Sequence, residues 1–256
     1  MKSSRISTGG RIIAMLFLVT GLVCAQGFYW ETTVTGAPGG DRISKSYISQ
    51  RIFKIEQEDK DKTAMIVNLD KKLIITINGD DEEYSEITFE QLEAHMKKME
   101  AKMEQMQKQF KEMPEAQRKM MEGLMGPLAG GSGPIVVKRS AEKKTILGYA
   151  CGKVDVQQGD KTIVTLWATN MVKGFDKIRA DWDEFSTRMA AMMPGSLGKG
   201  MTEGMKKVGG FPLETIMGSI VSTVTKLEER AIPAATFDVP AGYDKVDSEL
   251  LKHDEE

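Results

Sequence analysis

The stretch TAMIVNLDKKLIITIN, residues 63–78, decides the fold. Two short apolar runs in it flank the polar residues Asp70, Lys71 and Lys72. Runs of β-branched residues broken by a polar turn are typical of two antiparallel strands joined by a hairpin. We therefore predict a hairpin here. The preceding segments FYWETTVT, residues 28–35, and YISQRIFKI, residues 47–55, continue the same strand pattern.

Strand patterns return in the second half of the chain. They lie at residues 135–138, 146–156, 162–169, 211–217, 219–229 and 236–243. With the helices described below, the order of elements is strands, helices, strands, helix, strands. Such an order favours an α+β domain with a mainly antiparallel sheet over a parallel α/β domain.

A Met-rich helix is predicted to begin at Thr88. Thr88 and Gln91 have the spacing of a capping box, in which each side chain bonds the other residue's backbone amide. Apolar residues then recur every three or four positions from Phe89 to Met113, which would span about 37 Å as one helix. Pro114 ends or kinks this helix and can start a second one. The predicted helical insert covers about residues 89–125.

A second apolar seam runs from Phe175 to Met193. Phe175, Ile178, Trp182, Phe185, Met189 and Met192 are again three or four residues apart, which predicts a helix. Pro194 ends it. The Gly-rich residues 194–210 that follow are predicted to form a flexible flap.

The first 25 residues have the pattern of an export signal. Lys2, Arg5 and Arg11 precede an apolar run, residues 12–24, and cleavage after Ala25 would follow. Lipidation at Cys24 is the less favoured alternative. We therefore expect a periplasmic or secreted protein whose residues 26–256 form a single domain with one core.

Charge and cysteine content argue against a nucleic-acid-binding protein and against a disulfide-stabilised one. The formal net charge is -2, and it becomes -5 when three basic residues leave with the signal. A basic surface for nucleic acid is therefore not expected. Cys151 is the single cysteine of residues 26–256, so an intramolecular disulfide cannot form, and its apolar neighbours predict a buried thiol.

The sequence contains little that points to catalysis. Its two histidines, His95 and His253, are too few for a multi-histidine zinc site. We predict that His95 faces solvent beside the Met-rich seam. The acidic residues 78–83 lack the spacing of a calcium loop and are better explained as a hairpin end. We expect a non-catalytic protein with no cofactor and no dedicated metal site.

The methionine seam allows three interpretations. Thioether sulfur is a soft ligand that selects Cu(I), so the seam could hold copper. It could be a structural or coiled-coil contact, or it could line a space for an apolar ligand. For the last interpretation the predicted lining residues are Met96, Met99, Met103, Met106, Phe110, Trp182, Phe185 and Met189.

Four short motifs carry a family resemblance. They are Ile146-x-Gly148-Tyr149-x-Cys151, Leu166-Trp167-Ala168, Gly210-Phe211-Pro212-Leu213 and Phe237-x-Val239-Pro240-Ala241-Gly242-Tyr243. Together with the Met-rich insert, they resemble a family of exported bacterial proteins known as domain of unknown function 4412.

The last two motifs are also similar, more distantly, to the periplasmic carriers of lipoproteins. That likeness implies a curved antiparallel sheet, an incomplete barrel, covered by the Met-rich helices. On this basis we hypothesise that the protein binds an acyl chain, a lipid or a lipidated protein between sheet and helices, with peripheral membrane contact as a further expectation. A Cu(I)-binding protein and a structural protein remain the alternatives, and the oligomeric state stays open.

Overall fold

Twelve strands form one sheet in the computed structural model of the protein, which describes residues 24–58, 62–112, 135–192 and 209–252, together with 202, 203 and 207. The strands are β1 (Cys24–Thr35), β2 (Arg42–Ser49), β3 (Ile52–Glu58), β4 (Ala64–Asn68), β5 (Leu73–Asn78), β6 (Glu83–Thr88), β7 (Ile135–Ile146), β8 (Tyr149–Gln158), β9 (Lys161–Thr169), β10 (Phe211–Met217), β11 (Ile220–Pro233) and β12 (Asp244–Val246). Their order in the sheet is β12-β6-β5-β4-β3-β2-β1-β11-β10-β9-β8-β7.

Sequential strands pair as hairpins through most of the sheet. The hairpin predicted from residues 63–78 is confirmed, because β4 and β5 are antiparallel and Asn68 lies opposite Leu73. Lys72 in its turn has a positive φ of 52°. All the sheet's neighbouring pairs are antiparallel except β12 and β6, which are parallel.

Three α-helices accompany the sheet in the described ranges: α1 (Phe89–Glu112), α2 (Arg179–Ala191) and α3 (Glu249–Lys252). The predicted capping box at the start of α1 is confirmed. The Thr88 amide donates to the Gln91 side-chain oxygen at 2.9 Å, and the Gln91 amide donates to the Thr88 hydroxyl at 3.2 Å. The second predicted helix begins later than Phe175, since residues Phe175–Lys177 form a 3-10 turn before α2.

The main core lies where α2 and the start of α1 meet the sheet. Trp182 of α2 packs edge-on against Trp30 of β1, with ring centroids 5.8 Å apart. Phe185 stacks on Phe53 of β3 at 4.1 Å. Arg51, between β2 and β3, anchors α2 to the sheet. Its guanidinium donates to Asp181 at 2.9 Å and to Glu184 at 2.8 Å.

A second, smaller apolar cluster departs from the expectation of one core. It joins Val154 and Val156 of β8 to Val164 and Leu166 of β9, with Ile135 and Val137 of β7 against it, near the β7 edge. The reverse face of the central strands is polar instead. There the Tyr29 and Tyr47 rings lie 5.0 Å apart, and the Arg230 guanidinium lies 3.9 Å from the Tyr29 ring.

The predicted fold class, an α+β incomplete barrel covered by Met-rich helices, is wrong. The sheet is open and much larger than its helices, with β12 and β7 as its two edges. Helix α1 covers little of it, because only Phe89, Leu92 and His95 are buried along its described side chains and Met96 is half-buried. The helix spans about 36 Å, whereas strands of five or six residues span about 20 Å. It therefore extends past the strands on which it starts.

The segment after β11 runs from the middle of the sheet to its β6 end. Strand β11 lies in the middle, between β1 and β10, and a 3-10 turn at Ala234–Phe237 follows it. The chain then reaches the far edge, where the Asp244 amide donates to the Glu82 carbonyl at 2.9 Å and β12 adds to β6. The predicted strand at residues 236–243 is thus wrong, and the terminal strand is the shorter β12.

Several predictions fall on parts of the chain that are not described. The proposed signal up to Val23, the helix predicted after Pro114 and residues 194–201, 204–206 and 208 of the Gly-rich flap lie outside the described residues. Strand β1 begins at Cys24, whose partner is Pro233. Cleavage after Ala25 would therefore remove its first two residues and leave Gln26–Thr35.

Candidate ligand groove beside helix α1

A groove of about 780 Å³ lies beside α1 at the β6 end of the sheet. Its floor comes from β5 and β6, one wall from α1 and the other wall from the residues at the end of β12 and after it. The lining residues are Thr76, Asn78, Glu83, Tyr84, Ser85, His95, Lys98, Met99, Lys102, Val246, Asp247, Ser248, Glu249 and Leu250.

Local contacts hold both walls in place. The capping box at Thr88 starts α1 directly after β6, with Phe89 and Leu92 buried beneath its first turns. On the other wall, Ser248 is buried and the Leu251 amide donates to its carbonyl at 2.9 Å, while the Leu251 side chain packs against the main core. The chain end is therefore anchored on the helix side of the sheet edge.

The floor ends in a tight hairpin. The Asn78 side-chain oxygen accepts the Asp80 amide at 3.2 Å, as in a turn capped by asparagine. Residues 78–83 thus form the hairpin end predicted from the sequence. No group of three or more His, Cys, Asp or Glu side chains suited to a metal was found among the described residues.

The two walls differ in charge. Helix α1 contributes Lys98 and Lys102, whereas Glu83, Asp247 and Glu249 come from β6 and the chain end. Apolar side chains also line the groove. Met99 is 37% exposed and Leu250 is 43% exposed, which are large fractions for such side chains. The groove can therefore receive an apolar group near cationic side chains.

The eight predicted lining residues do not lie together: one lines the groove, some pack in or against the core, and the side chains of others are not described. Met99 lines the groove. Met96, Trp182, Phe185 and Met189 pack in or against the main core. The side chains of Met103, Met106 and Phe110 lie outside the described residues, although the α1 backbone continues through them. Within the predicted set, Met99 is the described member that meets an open space.

The prediction that His95 faces solvent is wrong. It is 9% exposed and lines the groove. The sequence contained the signal, because the spacing of three and four residues from Leu92 passes through His95 to Met99 as well as through Met96. Two overlapping seams therefore share α1, one through Met96 and one through His95 and Met99. His95, the polar member of the second seam, was predicted on the solvent side.

Residues of three predicted family motifs meet on β8, β9 and β10. Cys151 lies opposite Lys144, and Glu214, directly after Gly210-Phe211-Pro212-Leu213, lies opposite Trp167. The Lys144 ammonium lies 2.7 Å from both Glu214 carboxylate oxygens and 5.8 Å from the Trp167 ring centroid. Sequence reasoning missed the buried Glu214, because a carboxylate inside a strand has no local signal of its partner.

The buried position predicted for Cys151 is confirmed, since its side chain is 0% exposed. Burial, with a smaller contribution from the Glu214 charge, raises the pKa of the thiol. Because the thiolate is the reactive form, we expect native protein to react with a disulfide reagent at pH 8 only as fast as it unfolds. Labelling of residues 26–256 with and without urea checks this. Rapid labelling without urea would contradict it.

Three solved structures that match the chain show a weak likeness. An uncharacterised conserved protein from Thermus thermophilus has a TM-score of 0.45 and 8% identity, covering 86% of this chain and 90% of that one. PNGF-II has TM-scores of 0.40 and 0.38 in two crystal forms, at 12% identity. The match covers 90% of this chain but 32% and 33% of PNGF-II. At these TM-scores the likeness carries no argument about function.

Sequence comparison is more informative. No curated protein matches the chain. In the structure, none of the described helices is long and apolar enough to cross a membrane. Residues 134–243 match the family described as domain of unknown function DUF4412, so the family predicted from the four motifs is confirmed over that segment.

Proposed function

We propose that this is a non-catalytic, exported envelope protein that binds an amphipathic ligand with an acyl chain, such as a lipid or a lipidated protein, in the groove beside α1. The observation that carries the proposal is the groove itself. At about 780 Å³ it lies within the range of small-molecule sites, about 300–1,000 Å³.

Apolar burial supplies the affinity. Met99 and Leu250 are exposed in the groove, and covering their remaining apolar surface stabilises a complex by about 25 cal/mol per Å². No proton transfer or covalent step is needed for such binding. The export signal predicted from residues 1–25 would bring the protein to the envelope, where such ligands occur.

The charge difference between the walls supports a preferred orientation. Lys98 and Lys102 on the α1 wall attract an anionic head group, while the carboxylates of Asp247 and Glu249 repel it from the opposite wall. We therefore expect fatty-acid carboxylates or phospholipid phosphates to bind better than cationic amphiphiles of equal chain length.

A charged substitution at Met99 tests the proposal. We expect Met99→Glu to weaken binding of a fluorescent fatty acid by about tenfold or more, because about 1.4 kcal/mol of lost apolar contact already equals a factor of ten. Fluorescence titration measures the dissociation constant. Native mass spectrometry of protein from its own envelope checks for a co-purified ligand.

Met171→Glu is the matched control. Met171 is 64% exposed and lies outside the lining of the groove, so this variant adds the same charge without changing the proposed site. Equal binding by the Met99→Glu variant and the wild type would contradict the site. A wild-type protein that is empty on purification and binds no fatty acid would contradict the function.

A further inference from the structure

Helix α1 presents two metal-binding side chains to the groove, one turn apart. His95 and Met99 both line it, at positions i and i+4. Residues with this spacing lie on the same face of a helix, with about 5–6 Å between their Cβ atoms. The imidazole and the thioether can therefore approach one ion from the same wall.

We propose that the groove binds Cu(I) through an imidazole nitrogen of His95 and the Met99 sulfur. Thioether sulfur is soft and selects Cu(I), and imidazole is also a copper ligand. Cu(I) is stable at low coordination number, so these two donors form the minimum of a site. A histidine has a second ring nitrogen, which in metal sites usually keeps a hydrogen bond that orients the ring.

The position of His95 supplies a ligand type that the methionine seam lacks. A row of methionines alone lacks the histidine or cysteine that accompanies most copper sites. With His95 predicted on the solvent side, the seam had no such partner. Its burial at 9% exposure in the same groove as Met99 completes a mixed nitrogen and sulfur pair.

Hard cations suit the groove less well. Ca²⁺ and Mg²⁺ prefer several oxygen ligands, and Glu83, Asp247 and Glu249 provide carboxylates. Lys98 and Lys102 lie in the same groove, however, and their positive charges oppose a divalent ion. A monovalent, soft ion experiences less of this repulsion and uses donors that Ca²⁺ and Mg²⁺ do not.

Titration with Cu(I) tests the site. Under anaerobic, reducing conditions, the full chain competes with bicinchoninate, and we expect it to withdraw about one equivalent of Cu(I), with a dissociation constant below micromolar. We expect Met99→Leu to weaken binding about tenfold or more, because one of the two proposed donors is lost. Met171→Leu, which removes a more exposed sulfur elsewhere, is expected to leave the affinity unchanged.

Ag(I) provides a second readout that does not depend on competition. In protein labelled with ¹³C at the methionine methyl groups, we expect Ag(I) to shift the signal that disappears in Met99→Leu. A wild-type protein that takes no Cu(I) from the competitor would overturn the proposal. An affinity unchanged by Met99→Leu, or lost equally in Met171→Leu, would also overturn it.

The proposed copper site and the proposed acyl-chain site share Met99, but different results contradict each of them. A wild-type protein that binds fatty acid but takes no Cu(I) would overturn the copper site alone. A wild-type protein that takes Cu(I) but binds no fatty acid would contradict the proposed function alone. Met99→Glu should impair fatty-acid binding because it places charge on the apolar wall. His95→Gln, checked for folding by circular dichroism, should weaken Cu(I) binding because the nitrogen donor is lost.

Discussion

Phe185→Ala is expected to lower the free energy of unfolding by about 3–5 kcal/mol, the usual cost of deleting a buried aromatic side chain. The Phe185 side chain is 6% exposed. Its ring lies 4.1 Å from Phe53, with 7° between the planes, and 5.9 Å from Trp182. Alanine would leave a cavity that these neighbours cannot fill without moving the sheet. Urea denaturation measures the change.

This substitution also distinguishes a core role of Phe185 from a role in lining a ligand site. A side chain that lines a ligand site can be shortened at little cost in stability, whereas a core side chain cannot. Met171→Ala serves as the control, because Met171 is 64% exposed and should cost about 0.5 kcal/mol or less. A loss below about 1 kcal/mol for Phe185→Ala, together with altered ligand binding, would return Phe185 to the predicted site.

Gly27→Ala is expected to cost about 3 kcal/mol, at the upper end of the range for an overpacked site. Gly27 lies in β1, between β2 and β11. A Cβ atom there would lie 2.2 Å from the Ile48 carbonyl oxygen. That oxygen belongs to the backbone of the neighbouring strand, so the conflict is relieved only by moving a central strand.

A second strand glycine provides the comparison. At Gly152 of β8 the nearest atom to a new Cβ is the Lys143 ammonium nitrogen at 3.5 Å, the flexible end of a side chain. We expect Gly152→Ala to be neutral or to stabilise by about 0.4–1 kcal/mol, because alanine restricts the unfolded chain. Thermal denaturation of both variants checks the contrast. Equal effects would show that crowding at Ile48 is not the cause.

Local features of this fold could be predicted from the sequence. The Asp70–Lys72 turn, the Thr88 and Gln91 cap and the buried Cys151 all depend on neighbours within a few residues, and each is confirmed. The order of strands and helices as far as β11, within the described residues, followed from the same kind of signal. Periodicity also located α1 and, with an error of a few residues at its start, α2.

The extent of packing could not be predicted, because it depends on contacts between distant segments. The apolar spacing along α1 does not reveal that Lys97 to Met99 are already exposed while Leu92 is buried. The groove depends on the chain end meeting β6, a parallel contact between Asp244 and Glu83. Met99 was therefore predicted as a lining residue, whereas its neighbours in space, Val246 to Leu250, were not.

The place of β1 in the sheet has a consequence for the order of folding. Its partner on one side is β11, with Cys24 opposite Pro233, so the centre of the sheet joins segments that are far apart in the sequence. Pairings between residues so far apart form slowly, because a long loop must close before they contribute stability. The centre of the sheet is therefore expected to form after local hairpins such as β4 with β5, so that the joining of β1 to β11 is a late step of folding.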